Sequence, residues 1–313
     1  WNPAEIGNLQ YEELENIWAG YKANIIRDSI LNGSYDYCNS ETCPKIQNWR
    51  NQLISNTEEK RNDLINSTNS LPTHVHFVID HSCNLECPSC RVEKITQLSD
   101  GEKEQGLNVA RKVFRSMFKE PHGEHKIIGM DGSGEIFSSE LYRELFETEE
   151  IFTNTYKWPN LRFALSTNGT MMTEKNQKKY EHFFKQIARI EISVDAGNQE
   201  SYEKVRKGGH WDLLWKNLDY FYSNIKDKKD TYWQWNIIVQ KNNFESIPEF
   251  VELANKYAEY KPSLNFSNLL NWGTWTDDDY LENAVHLPNH PLHNKYLEIK
   301  NLPIVRNYRS DQK

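Results

Sequence analysis

His74-Val75-His76-Phe77-Val78-Ile79-Asp80, followed at once by His81-Ser82-Cys83-Asn84-Leu85-Glu86-Cys87-Pro88-Ser89-Cys90, is the stretch that decides the fold. Its first half is apolar and β-prone and reads as a strand. The loop that follows carries three of the chain's five cysteines. Three thiolates on one short loop can hold three corners of an iron–sulfur cube. Such clusters normally take four thiolates, so three leave one iron open for chemistry. Zinc is the alternative, but a structural zinc site wants four ligands, and only His81 lies close enough to help. The odd cysteine count and tight clustering argue against a disulfide framework and for a reducing cytoplasm.

Outward from this loop, strand patterns alternate with helical ones. Strands are expected at 74–80, 126–130, 161–166, 189–194, 233–239 and 264–268. Between them, Leu107/Ala110/Val113/Met117, Tyr180/Phe183/Phe184/Ile187, Leu214/Leu218/Phe221/Ile225 and Ile247/Phe250/Val251/Ala254 recur at helical spacing. This alternation implies an α/β fold with a parallel sheet covered by helices. About six units fall short of the eight of a closed barrel, so an open, partial (β/α)6 TIM-like barrel is expected over residues 74–275. Ahead of it, Leu14, Ile17, Trp18, Tyr21, Ile25 and Ile26 predict a helix that stops near Gly33. Residues 55–73 read as a polar linker, and 276–313 as a C-terminal loop and helix extension.

Composition narrows the function classes. A net charge of −8 supplies no basic field for phosphate backbones, so nucleic acid is not an expected partner. No run approaches the roughly 18 apolar residues of a membrane span, and no secretory signal pattern opens the chain. The matches to glycosylation acceptors at Asn32, Asn66 and Asn168 are then chance. The 10 Trp and 16 Tyr divide between core and the walls of a substrate cavity.

The loops after the other strands are polar and ordered. After the second comes Asp131-Gly132-Ser133-Gly134-Glu135; after the third, Ser166-Thr167-Asn168-Gly169-Thr170. The fourth gives Ile192-Ser193-Val194-Asp195, with Tyr202 and Arg206 beyond, and the fifth is Trp235-Asn236-Ile237-Ile238-Val239. Loops at the C-terminal ends of parallel strands are where such folds bind ligands. Taken alone, each has an ordinary reading: a glycine turn, a tight Asn-Gly turn, a solvated arginine.

Together with Cys-x3-Cys-x2-Cys, these loops resemble the radical S-adenosylmethionine (radical SAM) enzymes over residues 74 to about 270. The resemblance implies a [4Fe–4S] cluster on Cys83, Cys87 and Cys90, with S-adenosylmethionine on the open iron. It also implies a set of contacts to that cofactor. Gly132, Gly134 and Glu135 would hold its amino group, Ser193 and Arg206 its carboxylate, Ser166 and Asn168 its ribose, and the backbone at Ile238 its adenine. Ser133 separates the two glycines, so only Gly134-Glu135 matches the family's Gly-Gly-Glu position by position. Ser89 stands where the family often has an aromatic residue near adenine. Reductive cleavage would give a 5′-deoxyadenosyl radical that abstracts hydrogen from a peptide, protein or sugar, in an oxidation, cross-link or epimerisation. A flavodoxin or ferredoxin would be the reducing partner. The competing class is a non-catalytic iron–sulfur or zinc protein, an electron carrier or scaffold, which needs no SAM site.

Cys38-Asn39-Ser40-Glu41-Thr42-Cys43-Pro44 is the second cysteine group. With its flanks it resembles part of a SPASM or twitch domain, which implies an auxiliary cluster segment over residues 1–54. Two free buried thiols are the other reading. The chain opens at Trp1 without an initiator Met, and two cysteines cannot complete a four-thiolate site, so further ligands are expected upstream in a longer parent. His286, His290 and His293 have metal-like spacing, but Pro288 and Pro291 interrupt any helix there, so a loop is expected. Asn271-Trp272-Gly273-Thr274-Trp275 reads as either a cavity wall or a core-packing loop.

Overall fold

The computed structural model describes residues 5–38, 71–119, 123–130, 134–224, 231–257 and 262–310. Two compact units divide the chain, Trp1–Thr73 with Glu104–Glu124, and His74–Lys103 with His125–Lys313.

In the larger unit six strands form one sheet: β1 His74–Phe77, β2 Lys126–Met130, β3 Leu161–Thr167, β4 Ile187–Ser193, β5 Tyr232–Val239 and β6 Ser263–Asn268. They lie side by side in chain order, and every neighbouring pair is parallel. Helices fill the connections, as parallel pairing demands, so all six strands point their C-terminal ends the same way. This is the α/β arrangement of a partial TIM-like barrel.

Two strand boundaries depart from the sequence expectation by more than one residue. β1 ends at Phe77 rather than at residue 80, because the buried Asp80 turns the chain, its Oδ1 accepting from Ser82 N at 2.6 Å. Ile187 is the first residue of β4, paired with Phe163, rather than the last of a helix. Gln186 ends the preceding short helix, Glu181–Lys185.

One face of the sheet is apolar. Ile128 and Met130, Phe163 and Leu165, Ile190 and Ile192, and Trp235 and Ile237 are all buried. Burial of such a side chain stabilises by about 1.5–3 kcal/mol. Phe146, Phe152, Phe163 and Phe183 continue this core, with ring centroids 4.7–6.2 Å apart. Buried Trp235 satisfies its indole N–H on Tyr222 Oη at 2.8 Å.

In the smaller unit the expected single helix is two, Leu14–Trp18 and Tyr21–Leu31. Gly20 sits at the break, where a Cβ would come within 2.8 Å of Asn16 O. Arg27 straps the joint, donating to Trp18 O at 2.7 Å with its guanidinium 4.5 Å from the indole centroid. The second helix stops as expected at Gly33, whose φ of 80° suits glycine. Glu15 accepts from Ser116 Oγ at 2.9 Å and Lys119 Nζ at 2.8 Å. Among the described residues no helix is long and apolar enough to cross a membrane.

Candidate functional site

The cysteine loop is fixed at its root before it reaches the sulfurs. Asp80 accepts from Ser82 N through one oxygen and from Ser139 Oγ through the other, tying the exit of β1 to the segment beyond β2. Cys83 N donates to Ile95 O at 2.7 Å. Further along, Glu86 N donates to Lys207 O at 2.9 Å, and the two side chains pair at 3.4 Å. Cys90 N and Arg91 N both donate to Cys87 O, closing a turn between the last two cysteines.

Each of the three sulfurs faces an N–H donor. Leu85 N lies 3.4 Å and Asn168 Nδ2 3.8 Å from Cys83 Sγ. Arg206 Nη1 lies 3.6 Å from Cys87 Sγ, and Arg91 Nη2 3.7 Å from Cys90 Sγ. Donors converging on sulfur suit thiolate or cluster-bound sulfur, whose charge they disperse. Cys83 and Cys87 are buried together with Leu85, while Cys90 is exposed. Burial pushes both buried thiols above their ordinary pKa, so metal ligation rather than free ionisation is their route to thiolate. Among the described residues no three His, Cys, Asp or Glu side chains are placed to enclose a single metal ion. The triplet is three sulfurs with separate donors, not a closed ion cage.

The loops after β2 and β3 lock onto this root. Gly134 is required there, because a Cβ would stand 2.5 Å from Ser82 O and 2.7 Å from Asp80 O. Glu135 N donates to Ser82 O at 2.8 Å. The Glu135 carboxylate is buried and accepts from Thr167 Oγ1 at 2.8 Å and Asn168 N at 2.8 Å. Burial pushes it above the usual carboxylate range, against the pull of those donors. Asn168 in turn donates to Asn84 Oδ1 at 2.9 Å, and Asn84 donates to Thr170 Oγ1 at 2.8 Å. Asn217 Nδ2 holds the carbonyls of Gly169 and Thr170 at 3.0 and 2.8 Å.

After β4 the chain turns at Asp195, which adopts a positive φ of 58°, a region Asp tolerates better than most residues. Its Oδ2 lies 2.6 Å from Arg206 Nη2, and its Oδ1 accepts from Ile238 N at 2.6 Å. Burial opposes the charge on Arg206, but Asp195 and the Cys87 sulfur outweigh it and hold the guanidinium protonated. Tyr202 is fully buried beside this pair, and its hydroxyl has no hydrogen-bond partner among the described residues.

The structure thus brings Gly134, Glu135, Asn168 and Arg206 to the cysteine loop. Gly132 lies outside the described residues, as does Cys43. Arg206 has two of its three nitrogens committed, one to Asp195 and one toward Cys87, and its Nε is buried without a partner among the described residues. The Ile238 amide is committed to Asp195 and its carbonyl to Asn243 at 2.9 Å. Ser166 and Ser193 are half-buried on the face of the sheet opposite the apolar core. Three connecting residues were given no role by the sequence: Asp80, Asn84 and Asp195. An acid within three residues of a strand end was the one available signal for Asp80 and Asp195; Asn84 gave none.

Elsewhere, His290 Nε2 sits 2.9 Å from Glu282 O and His293 Nδ1 3.1 Å from Val285 O, so these histidines hold a loop together. Cys38 is half-buried and forms no disulfide among the described residues. Residues 271–275 are not core packing: Trp272 is 69% exposed, at a turn made by Gly273 with φ 80°.

Comparison with known proteins adds the family. Residues 78–254 match the sequence profile of the radical SAM superfamily. An uncharacterized protein of Archaeoglobus fulgidus is 29% identical over 187 residues, covering 56% of this chain and 37% of that one. The solved structure titled "Native anSMEcpe with bound AdoMet" aligns with a TM-score of 0.42 at 18% identity, over 63% of this chain and 51% of that one. The structure of the same protein with AdoMet and the Cp18Cys peptide gives 0.40 at 19%, with the same coverage. The chain therefore spans between about a third and about half of the length of these relatives.

Proposed function

Because the chain belongs to the radical SAM superfamily, a membership that implies a [4Fe–4S] cluster and S-adenosylmethionine, we propose that Cys83, Cys87 and Cys90 ligate three irons of that cluster. When bound, the cluster and S-adenosylmethionine together supply the hydrogen-abstracting 5′-deoxyadenosyl radical, chemistry that belongs to the cofactors. The observation that carries this reading is the separate N–H donor facing each sulfur.

The chain's own residues have three tasks. Arg206 and Asn168 disperse negative charge on Cys87 and Cys83, and Asp195 keeps Arg206 aimed. Gly134 lets the loop after β2 lie against the root of the cysteine loop, and Glu135 clamps that loop to Thr167 and Asn168. Leu85 and the buried cysteines keep water from the inner side of the loop. S-adenosylmethionine would rest over the same strand ends. Gly134 and Ser193 would approach its methionine end, Ser166 and Asn168 its ribose, and Ile238 its adenine. With two nitrogens committed, Arg206 acts on the carboxylate through its charge, and Glu135 acts chiefly as a positioning residue.

A peptide, protein or sugar substrate, a flavodoxin or ferredoxin as reductant, and a cytoplasmic setting complete the proposal. An auxiliary cluster involving Cys38 and Cys43 rests only on the resemblance of that segment to a SPASM or twitch domain, and two cysteines do not complete a four-thiolate site. The test is anaerobic reconstitution with iron and sulfide, then incubation with S-adenosylmethionine and dithionite. Wild type should release 5′-deoxyadenosine and Cys87→Ala should not. Equal yields from the two, or none from wild type, would favour the electron-carrier reading.

A further inference from the structure

Parallel sheets are ordinarily covered on both faces, so their strands read as continuous apolar runs. This sheet breaks that rule on one face only. Opposite the apolar core, the register places Arg189 beside Tyr232, Glu191 beside Gln234, and Asn236 between Ser193 and Asn265. Ile238 pairs with Ser267 above them. Apolar side chains are nearly missing from this half of the face.

These side chains form one hydrogen-bonded network. Arg189 pairs with Glu191 and lies over the Tyr232 ring at 5.3 Å. Tyr232 donates to Gln234 Oε1 at 3.1 Å, and Gln234 to Asn236 Oδ1 at 2.6 Å. Asn236 donates to Glu191 at 3.4 Å, while Asn265 donates to both Asn236 Oδ1 and Ser267 Oγ. Such a network holds its members in fixed orientations. A face this polar gains little from burial, so packing alone does not account for it.

Its chemistry selects a ligand. Arg189 and Glu191 neutralise each other, which disfavours a phosphorylated or strongly charged ligand. Amide and hydroxyl groups offer donors and acceptors side by side, and a hydroxyl answers both from a single atom. A peptide would also present side chains in need of apolar pockets, whereas binding sites for most ligands are lined chiefly by apolar groups. A sugar ring carries a hydroxyl on nearly every carbon and suits a surface with few apolar places. The upper end of the platform is continuous with the site above, since Ser193 lies two residues before Asp195 on the same strand exit.

We propose that the β4–β6 half of this polar face, centred on Glu191, Gln234, Asn236 and Asn265, is a binding platform for a neutral, hydroxyl-rich carbohydrate. The proposal deepens the radical SAM reading by naming the substrate class, and it rests on that reading only for what is done to the sugar. Binding is measured by calorimetry and saturation-transfer NMR on the reconstituted full chain with S-adenosylmethionine but no reductant. The probes are a panel of neutral mono- and disaccharides, the peptide acetyl-Gly-Gly-Gly-amide, and glucose 6-phosphate. At least one neutral saccharide should bind and outcompete both other probes, and Asn236→Leu should weaken it about tenfold. Asn265→Leu, on an exposed position of the edge strand, repeats the test where folding is not at stake. Absence of saccharide binding, equal or better binding of the peptide or the phosphate, or unchanged affinity in a folded Asn265→Leu protein overturns the proposal. Failure of wild type to form 5′-deoxyadenosine would instead overturn the reaction and leave the binding result standing.

Discussion

The Arg206 guanidinium lies between Asp195 Oδ2, 2.6 Å from one nitrogen, and Cys87 Sγ, 3.6 Å from another. A residue whose sequence context suggested a fork for a ligand carboxylate is therefore tied first to a protein carboxylate. Its orientation toward the sulfur depends on that tie.

Asp195→Asn should be among the most damaging single substitutions outside the cysteines. Removing one partner of a buried ion pair costs about 3–5 kcal/mol, because the other charge is left uncompensated. Chemical denaturation would measure the loss. Arg206→Lys keeps the charge but not the two-sided reach, and should leave the fold largely intact while shifting the reduction potential of the reconstituted cluster.

Gly134→Ala places a methyl group 2.5 Å from Ser82 O, a backbone atom that cannot swing away. The overpacking should cost about 1–3 kcal/mol and displace the root of the cysteine loop. Lower iron incorporation, together with a lowered melting temperature, is the expected result.

Iron and sulfide analysis of the reconstituted chain separates one cluster from two. One [4Fe–4S] cluster predicts about four irons per chain, unchanged in Cys38→Ala and greatly reduced in Cys83→Ala. Loss of iron in Cys38→Ala would place a second cluster at the N-terminal cysteines.

Glu15 has its pKa lowered to about 2, chiefly by the hydrogen bond from Lys119 and further by Ser116. A carboxylate depressed in the folded state adds stability above its unfolded pKa, near 4.3, and loses it as pH falls toward 2. The pair is well exposed, so screening holds its worth to roughly 0–1 kcal/mol. Glu15→Gln should flatten the fall in melting temperature between those pH values and leave neutral stability nearly unchanged.

The strands were legible because their apolar cores stand between turn residues, and their alternation with helices admits few topologies. The cysteine loop was legible because three thiols in so short a span have few other uses. Ile187 was misplaced because its spacing from Phe183 and Phe184 suits a helix, and only pairing with Phe163 makes it a strand. The single N-terminal helix was expected because periodicity continues across Gly20, where the backbone does not. Asp80, Asn84 and Asp195 act through partners distant in sequence, and no local pattern names those partners. The polar sheet face was hidden for the same reason. Glu191, Gln234 and Asn265 lie in separate strands and become one surface only when the register is known.

Electron paramagnetic resonance of the dithionite-reduced, reconstituted protein tests the central claim most directly. A [4Fe–4S] cluster on Cys83, Cys87 and Cys90 with one open iron predicts a reduced-cluster signal whose shape changes when S-adenosylmethionine is added, and its absence in Cys87→Ala. A signal indifferent to S-adenosylmethionine, or one that survives in Cys87→Ala, would contradict it.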